Sequence, residues 1–79
     1  MRAFAAPPES RDASGLTARE IEVLTLIANG HTLKDVGKAL GISRFTVGDH
    51  VKMIYRKLNV ASRAEAALQA ARLGIVRDD

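Results

Sequence analysis

The stretch TLKDVGKALGISRFTVGDHVKMIYRKL, residues 32 to 58, decides how the chain folds. It opens with Thr32-x-x-Asp35, a hydroxyl placed to accept one of the backbone N–H groups that a helix start leaves without partners. Leu33, Val36, Ala39 and Leu40 then lie along one side, and the pattern stops after about two turns at Gly41. Gly41-Ile42 gives way at once to a second cap, Ser43-x-x-Thr46, followed by Val47, Val51, Ile54 and Leu58 at the spacing of one helical face. Two helices joined by a tight glycine-containing turn, the second capped immediately, have the sequence form of a helix-turn-helix. In that geometry the second helix projects its first turns outward to enter a major groove while the first crosses the phosphate backbone. Gly41 permits the reversal, and Ile42 is expected to plug the core between the two helices.

If the Val47, Val51, Ile54 and Leu58 edge faces inward, then Phe45, Gly48, Asp49, Lys52 and Arg56 lie on the opposite side. Arg44 sits beside them in the first turn and suits bidentate contact to guanine; Phe45 suits a thymine methyl, and the Asp49 carboxylate can accept from cytosine N4. The base-side set is therefore Arg44, Phe45, Gly48, Asp49 and Lys52. Lys34, Lys38, Thr46, Arg56 and Lys57 form the expected phosphate side.

Outward from this centre the same grammar repeats. Thr17-x-x-Glu20 is a capping box ahead of Ile21, Leu24, Ile27 and Ala28, with Val23 widening the stripe and Asn29-Gly30 supplying a left-handed exit. Ser62-x-x-Glu65 opens AEAALQAARL, which runs to a stop at Gly74. No segment outside loops alternates with period two, so the expected fold is all-α, a compact four-helix bundle with helices at about 18–29, 33–40, 44–58 and 63–73. Residues 1 to 15, with AAPPESRDASG, read as a linker or disordered arm, and residues 16 to 79 as one domain.

Composition narrows the function. With 79 residues there is room for one small core and no second, pocket-bearing lobe. The aromatics are only Phe4, Phe45 and Tyr55, so Leu, Ile, Val and Ala must fill that core. There is no cysteine, and His31 and His50 lack partners at ligand spacing, so neither a metal nor another cofactor is expected. No apolar run reaches the roughly 18 residues of a membrane helix, and MRAFAAPPES is too short and proline-broken for a signal peptide; the expectation is a cytoplasmic protein with no membrane partner. The net charge of +3 is unevenly spread. Thr32 to Arg63 holds seven basic residues (Lys34, Lys38, Arg44, Lys52, Arg56, Lys57, Arg63) against Asp35 and Asp49, whereas the remainder of the chain is net acidic. Such a concentration is what a polyanion-binding surface requires.

Several residues that resemble catalytic groups have plainer roles. His50 reads as packing between helices, His31 as a loop residue, Ser43 as a cap without a neighbouring base, and Arg19 and Glu20 as a cap and ion-pair set. Tyr55 falls on a helix flank suited equally to packing and to nucleic-acid contact. No pocket, metal set or nucleophile–base pair is legible, so no enzyme is expected.

The chain from Leu16 to Val76 also resembles the LuxR-type helix-turn-helix domain, the effector domain of many two-component response regulators and quorum-sensing regulators. The matching elements are Leu16-Thr17-x-Arg19-Glu20, Glu22-Val23-Leu24, Gly30, Lys34, Leu40-x-Ile42-Ser43, Thr46-Val47, His50, Ile54, Lys57-Leu58, Val60, Arg63, Ala67 and Gly74. The resemblance implies sequence-specific binding of double-stranded DNA by the third helix, in the service of transcription regulation. It also implies a homodimer through the fourth helix, which here falls on Leu68, Ala71, Arg72 and Ile75. RNA polymerase is a further partner of such regulators, and a receiver or ligand-sensing domain usually accompanies the module in the full-length protein. The sequence departs from the pattern at Leu33, Gly48 and Met53, where the family usually has Asn, Lys and Asn. These departures, with Asp49, leave a rival reading in which a degenerate helix-turn-helix serves as a protein–protein interaction module.

Overall fold

Each helix begins where a hydroxyl side chain accepts a backbone N–H. The computed structural model describes residues 15–75, so the linker reading of residues 1 to 15 lies, apart from Gly15, outside the described residues. Within them the order is α1 (Ala18–Ala28), α2 (Leu33–Leu40), α3 (Arg44–Leu58) and α4 (Arg63–Arg72), with no strand. Thr17, Thr32, Ser43 and Ser62 are the four N-caps, each accepting from the N–H three residues on. At Thr17 the box is complete: its own N–H donates to Glu20 Oε1 at 2.9 Å, and the Glu20 N–H donates to Thr17 Oγ1 at 3.1 Å. At Ser62 the box is displaced by one residue, because Glu65 Oε1 accepts from Ala61 N–H at 2.8 Å rather than from the cap itself.

The stops differ more from expectation than the starts. Gly41 closes α2 with φ +72°, the left-handed conformation the sequence predicts for the turn. After α1 the left-handed exit expected of Asn29-Gly30 falls on Gly30, at φ +98°, while Asn29 stays near the helical region at φ −84°. α3 ends on Asn59 at φ +58°, a stop the sequence reading did not assign; a short polar side chain tolerates that conformation better than most.

The core is aliphatic. Leu16, Val23, Leu24, Ile27, Val36, Val47, Ile54, Leu58, Ala66 and Ala70 are buried, and Val51, Ile42 and Tyr55 pack partly against them. α1 lies against both α3 and α4, and α2 lies against α3. The edge of α3 predicted to face inward does so. On α2 the expected stripe narrows to Val36 and half-buried Leu40, while Leu33 and Ala39 are exposed. Gly37 is buried beside Val36 and lets α2 approach the turn through a side where any side chain would intrude. A Cβ at Gly37 would stand 2.6 Å from the Ile42 carbonyl oxygen, a backbone atom that cannot swing aside. The Ile42 N–H donates to the Gly37 carbonyl at 2.9 Å, which fixes that proximity.

Candidate nucleic-acid interface

Val47, Val51, Ile54 and Leu58 turn toward the core, so α3 presents its other flank outward. Arg44, Phe45, Gly48, Asp49 and Lys52, with Leu33 from the start of α2, line one shallow depression on that flank. All five residues expected on the base side therefore line one surface, joined by Leu33, which the sequence reading set on the apolar side of α2. Phe45 is 75% exposed, and the Arg44 guanidinium lies 5.3 Å from its ring centroid, a cation–π arrangement that braces both side chains.

A second concavity adjoins the first. Lys34, Gly37, Lys38, Gly41, Ile42, Ser43 and Arg44 line it, so Arg44 belongs to both. Lys34 and Lys38, one turn apart on α2, stand over the start of α3, where the first N–H groups carry partial positive charge. The Ser43 and Thr46 hydroxyls lie 3.1 Å apart at this end and bond to each other, so Thr46 is tied into the cap. Among the described residues, Lys34, Lys38, Lys52 and Arg56 make no ion pair within the protein. Arg56 follows Lys52 by one helical turn on exposed α3 surface.

Two cations that the sequence counts toward the basic surface are committed elsewhere. Lys57 Nζ lies 2.7 Å from Oε1 of buried Glu20, tying the end of α3 to the first turn of α1. Burial pushes the Glu20 carboxyl up, but the Lys57 ammonium and the Thr17 N–H together outweigh it and hold the group below the usual carboxylate range. Arg63, at the start of α4, donates from Nε and Nη2 to the Ile27 carbonyl at 3.3 and 3.1 Å, and from Nη2 to the His31 carbonyl. It thereby ties the Ile27 carbonyl, which also accepts the Gly30 N–H, and the His31 carbonyl of the following loop to α4, beside a helix with no basic residue of its own in the last turn. Neither role follows from spacing along the chain, since 37 and 36 residues separate the partners. Gly37 had a signal, a glycine inside a helical pattern next to the turn.

On α4, Leu68, Ala71 and Arg72 are exposed, whereas Ile75 is half-buried against the protein's own core. No group of three or more His, Cys, Asp or Glu residues suited to holding a metal occurs among the described residues. No helix among them is long and apolar enough to cross a membrane.

The family model for bacterial regulatory proteins of the luxR family matches residues 14–70. The chain is 46% identical over 61 residues to the transcriptional regulatory protein LiaR of Bacillus subtilis (strain 168), covering 77% of this chain and 29% of that protein. It is 42% identical over 62 residues to the transcriptional regulatory protein DegU of Brevibacillus brevis, covering 78% and 26%. It is 39% identical over 69 residues to the transcriptional activator protein CarR of Pectobacterium carotovorum subsp. carotovorum, covering 87% and 28%. The chain thus spans less than a third of the length of these relatives. The chain belongs to the luxR family of bacterial regulatory proteins, as a DNA-binding helix-turn-helix domain of the transcription-regulator kind.

Proposed function

We propose that the exposed flank of α3 docks in a major groove, with Arg44, Phe45, Asp49 and Lys52 at base edges and Lys34, Lys38 and Arg56 at phosphates. The observation that carries this reading is the shared depression on α3: residues able to read bases meet there, and unpartnered cations continue from it on both sides. Lys57 is assigned to the fold instead, because its ammonium closes on a buried carboxylate. Thr46, whose hydroxyl and backbone N–H both bond to the Ser43 hydroxyl, supports the cap.

The exposed Leu68, Ala71 and Arg72 on α4 support pairing with a second copy, on a two-fold or tandem site. Ile75 is left out of that face because it is half-buried at home. The match covers less than a third of each of these relatives, which supports a longer regulator in which a receiver or ligand-sensing domain accompanies the module; a cytoplasmic setting and contact with RNA polymerase are proposed with it. No catalytic step is assigned to it. The test is salt-dependent retention on duplex DNA: affinity should fall steeply with ionic strength, and a flat response would refute the phosphate contacts.

A further inference from the structure

We infer that Leu33 and Phe45, which line one depression together with Gly48, form an apolar shelf that reads the C5 methyl group of a pyrimidine in the major groove. This rests on the DNA-binding reading above and adds the base feature that is read. Leu33 is 41% exposed and Phe45 75% exposed, and the two come from different helices to line one depression. Their neighbours Val36 and Val47 are fully buried, so the core is complete without them.

Gly48 contributes no side chain to that depression. A Cβ there would meet nothing within 4 Å, so the protein's own packing does not require a glycine. Glycine in a helix interior is nevertheless unfavourable relative to alanine. A residue type that costs stability and relieves no internal clash is explained by what approaches it from outside.

The rim selects the occupant. Arg44 and Lys52 flank the shelf, and Lys34 and Lys38 continue beyond Arg44, a surround suited to a polyanion rather than to an apolar protein surface. Major-groove base edges offer donors, acceptors and one apolar feature, the methyl at C5. An apolar shelf facing that groove therefore has a single class of target, carried by thymine or by 5-methylcytosine. Asp49 on the same rim supplies an acceptor for an adjoining cytosine N4.

The test uses a duplex that the chain itself selects from a random pool. It is remade with uracil replacing each thymine in turn, and separately with 5-methylcytosine replacing each cytosine. Binding to the wild type, Phe45→Ala and Leu33→Ala is compared at one salt concentration, with helical content verified for each. Loss of a thymine methyl at one or two positions should weaken wild-type binding about fourfold, the value of one buried methyl group. A gain of similar size from 5-methylcytosine would support the same shelf with the methylated base as source. Either effect should vanish in Phe45→Ala or Leu33→Ala. Indifference of the wild type to both replacements, or persistence of the effect in both variants, would overturn the inference. Failure to retain any duplex would overturn the DNA reading beneath it.

Discussion

Lys57 at the end of α3 closes on Glu20 at the start of α1, Nζ to Oε1 2.7 Å, and the same carboxylate oxygen accepts the Thr17 N–H at 2.9 Å. One buried oxygen thus joins a helix cap to the helix proposed to enter DNA. Replacing Lys57 by Ala leaves that carboxylate without its cation and should destabilise the domain by about 1–2 kcal/mol, a range held down by the partial exposure of the lysine. Thermal denaturation measures the loss. On DNA the salt slope of Lys57→Ala should match the wild type; a slope lowered by about one would mean that the ammonium neutralises a phosphate after all.

The same pair sets an acid limit. Glu20 titrates below its ordinary value in the folded chain, so its contribution is complete above the unfolded carboxylate value of about 4.3 and is lost as the pH falls through the lower folded value. Glu20→Gln should therefore be less stable than the wild type at neutral pH, with the difference narrowing as the pH drops below about 4.5. Denaturant titrations at pH 7 and pH 3.5 give the two differences, and equal values would show that the carboxylate carries no folding linkage.

Gly37 and Gly48 lie inside consecutive helices and should respond oppositely to alanine. At Gly37 the new Cβ meets the Ile42 carbonyl at 2.6 Å, so the turn must open, at a net cost of about 1–3 kcal/mol. At Gly48 it meets nothing, so the domain should gain up to about 1 kcal/mol of helix stability. Chemical denaturation of both variants suffices, and a destabilised Gly48→Ala would reveal a constraint absent from the geometry.

The four caps, the inward edge of α3 and the left-handed Gly41 were legible because each depends on neighbours within four residues. Lys57 and Arg63 were not, since a basic residue shows its charge in a sequence but not the distant oxygen it will meet. Leu33 misled for a related reason. Periodicity marks it as apolar on the face that buries Val36 and Gly37, but it is the first residue of α2 and stays exposed at the helix end. Phe45 read correctly as an outward residue because three well-spaced core positions on the same helix define the inward edge without it.

Arg63 should prove structural. Its guanidinium joins the Ile27 carbonyl in the last turn of α1 to the His31 carbonyl in the loop beyond, so Arg63→Ala is expected to lower stability by about 1 kcal/mol, and Arg63→Lys should recover only part of that because an ammonium lacks the second donor nitrogen, Nε, that also reaches Ile27. Loss of protection of the amides near the end of α1 in hydrogen exchange would locate the effect. An unchanged melting temperature in Arg63→Ala would return this cation to the DNA-facing set.

The remaining cations divide by what they touch. Arg44 and Lys52 share the depression with Phe45 and Asp49, so alanine at either should cost about 1–3 kcal/mol on the preferred duplex and much less on a scrambled one. Lys34 and Lys38 stand beside the start of α3 and out of that depression, so alanine there should weaken all duplexes alike and lower the salt slope by about 0.9 for each contact removed. Titrating both duplexes at two or three salt concentrations separates the two behaviours. If Arg44→Ala and Lys52→Ala lose equally on the preferred and scrambled sequences, the flank of α3 grips the backbone without reading bases, and the assigned register in the groove is wrong.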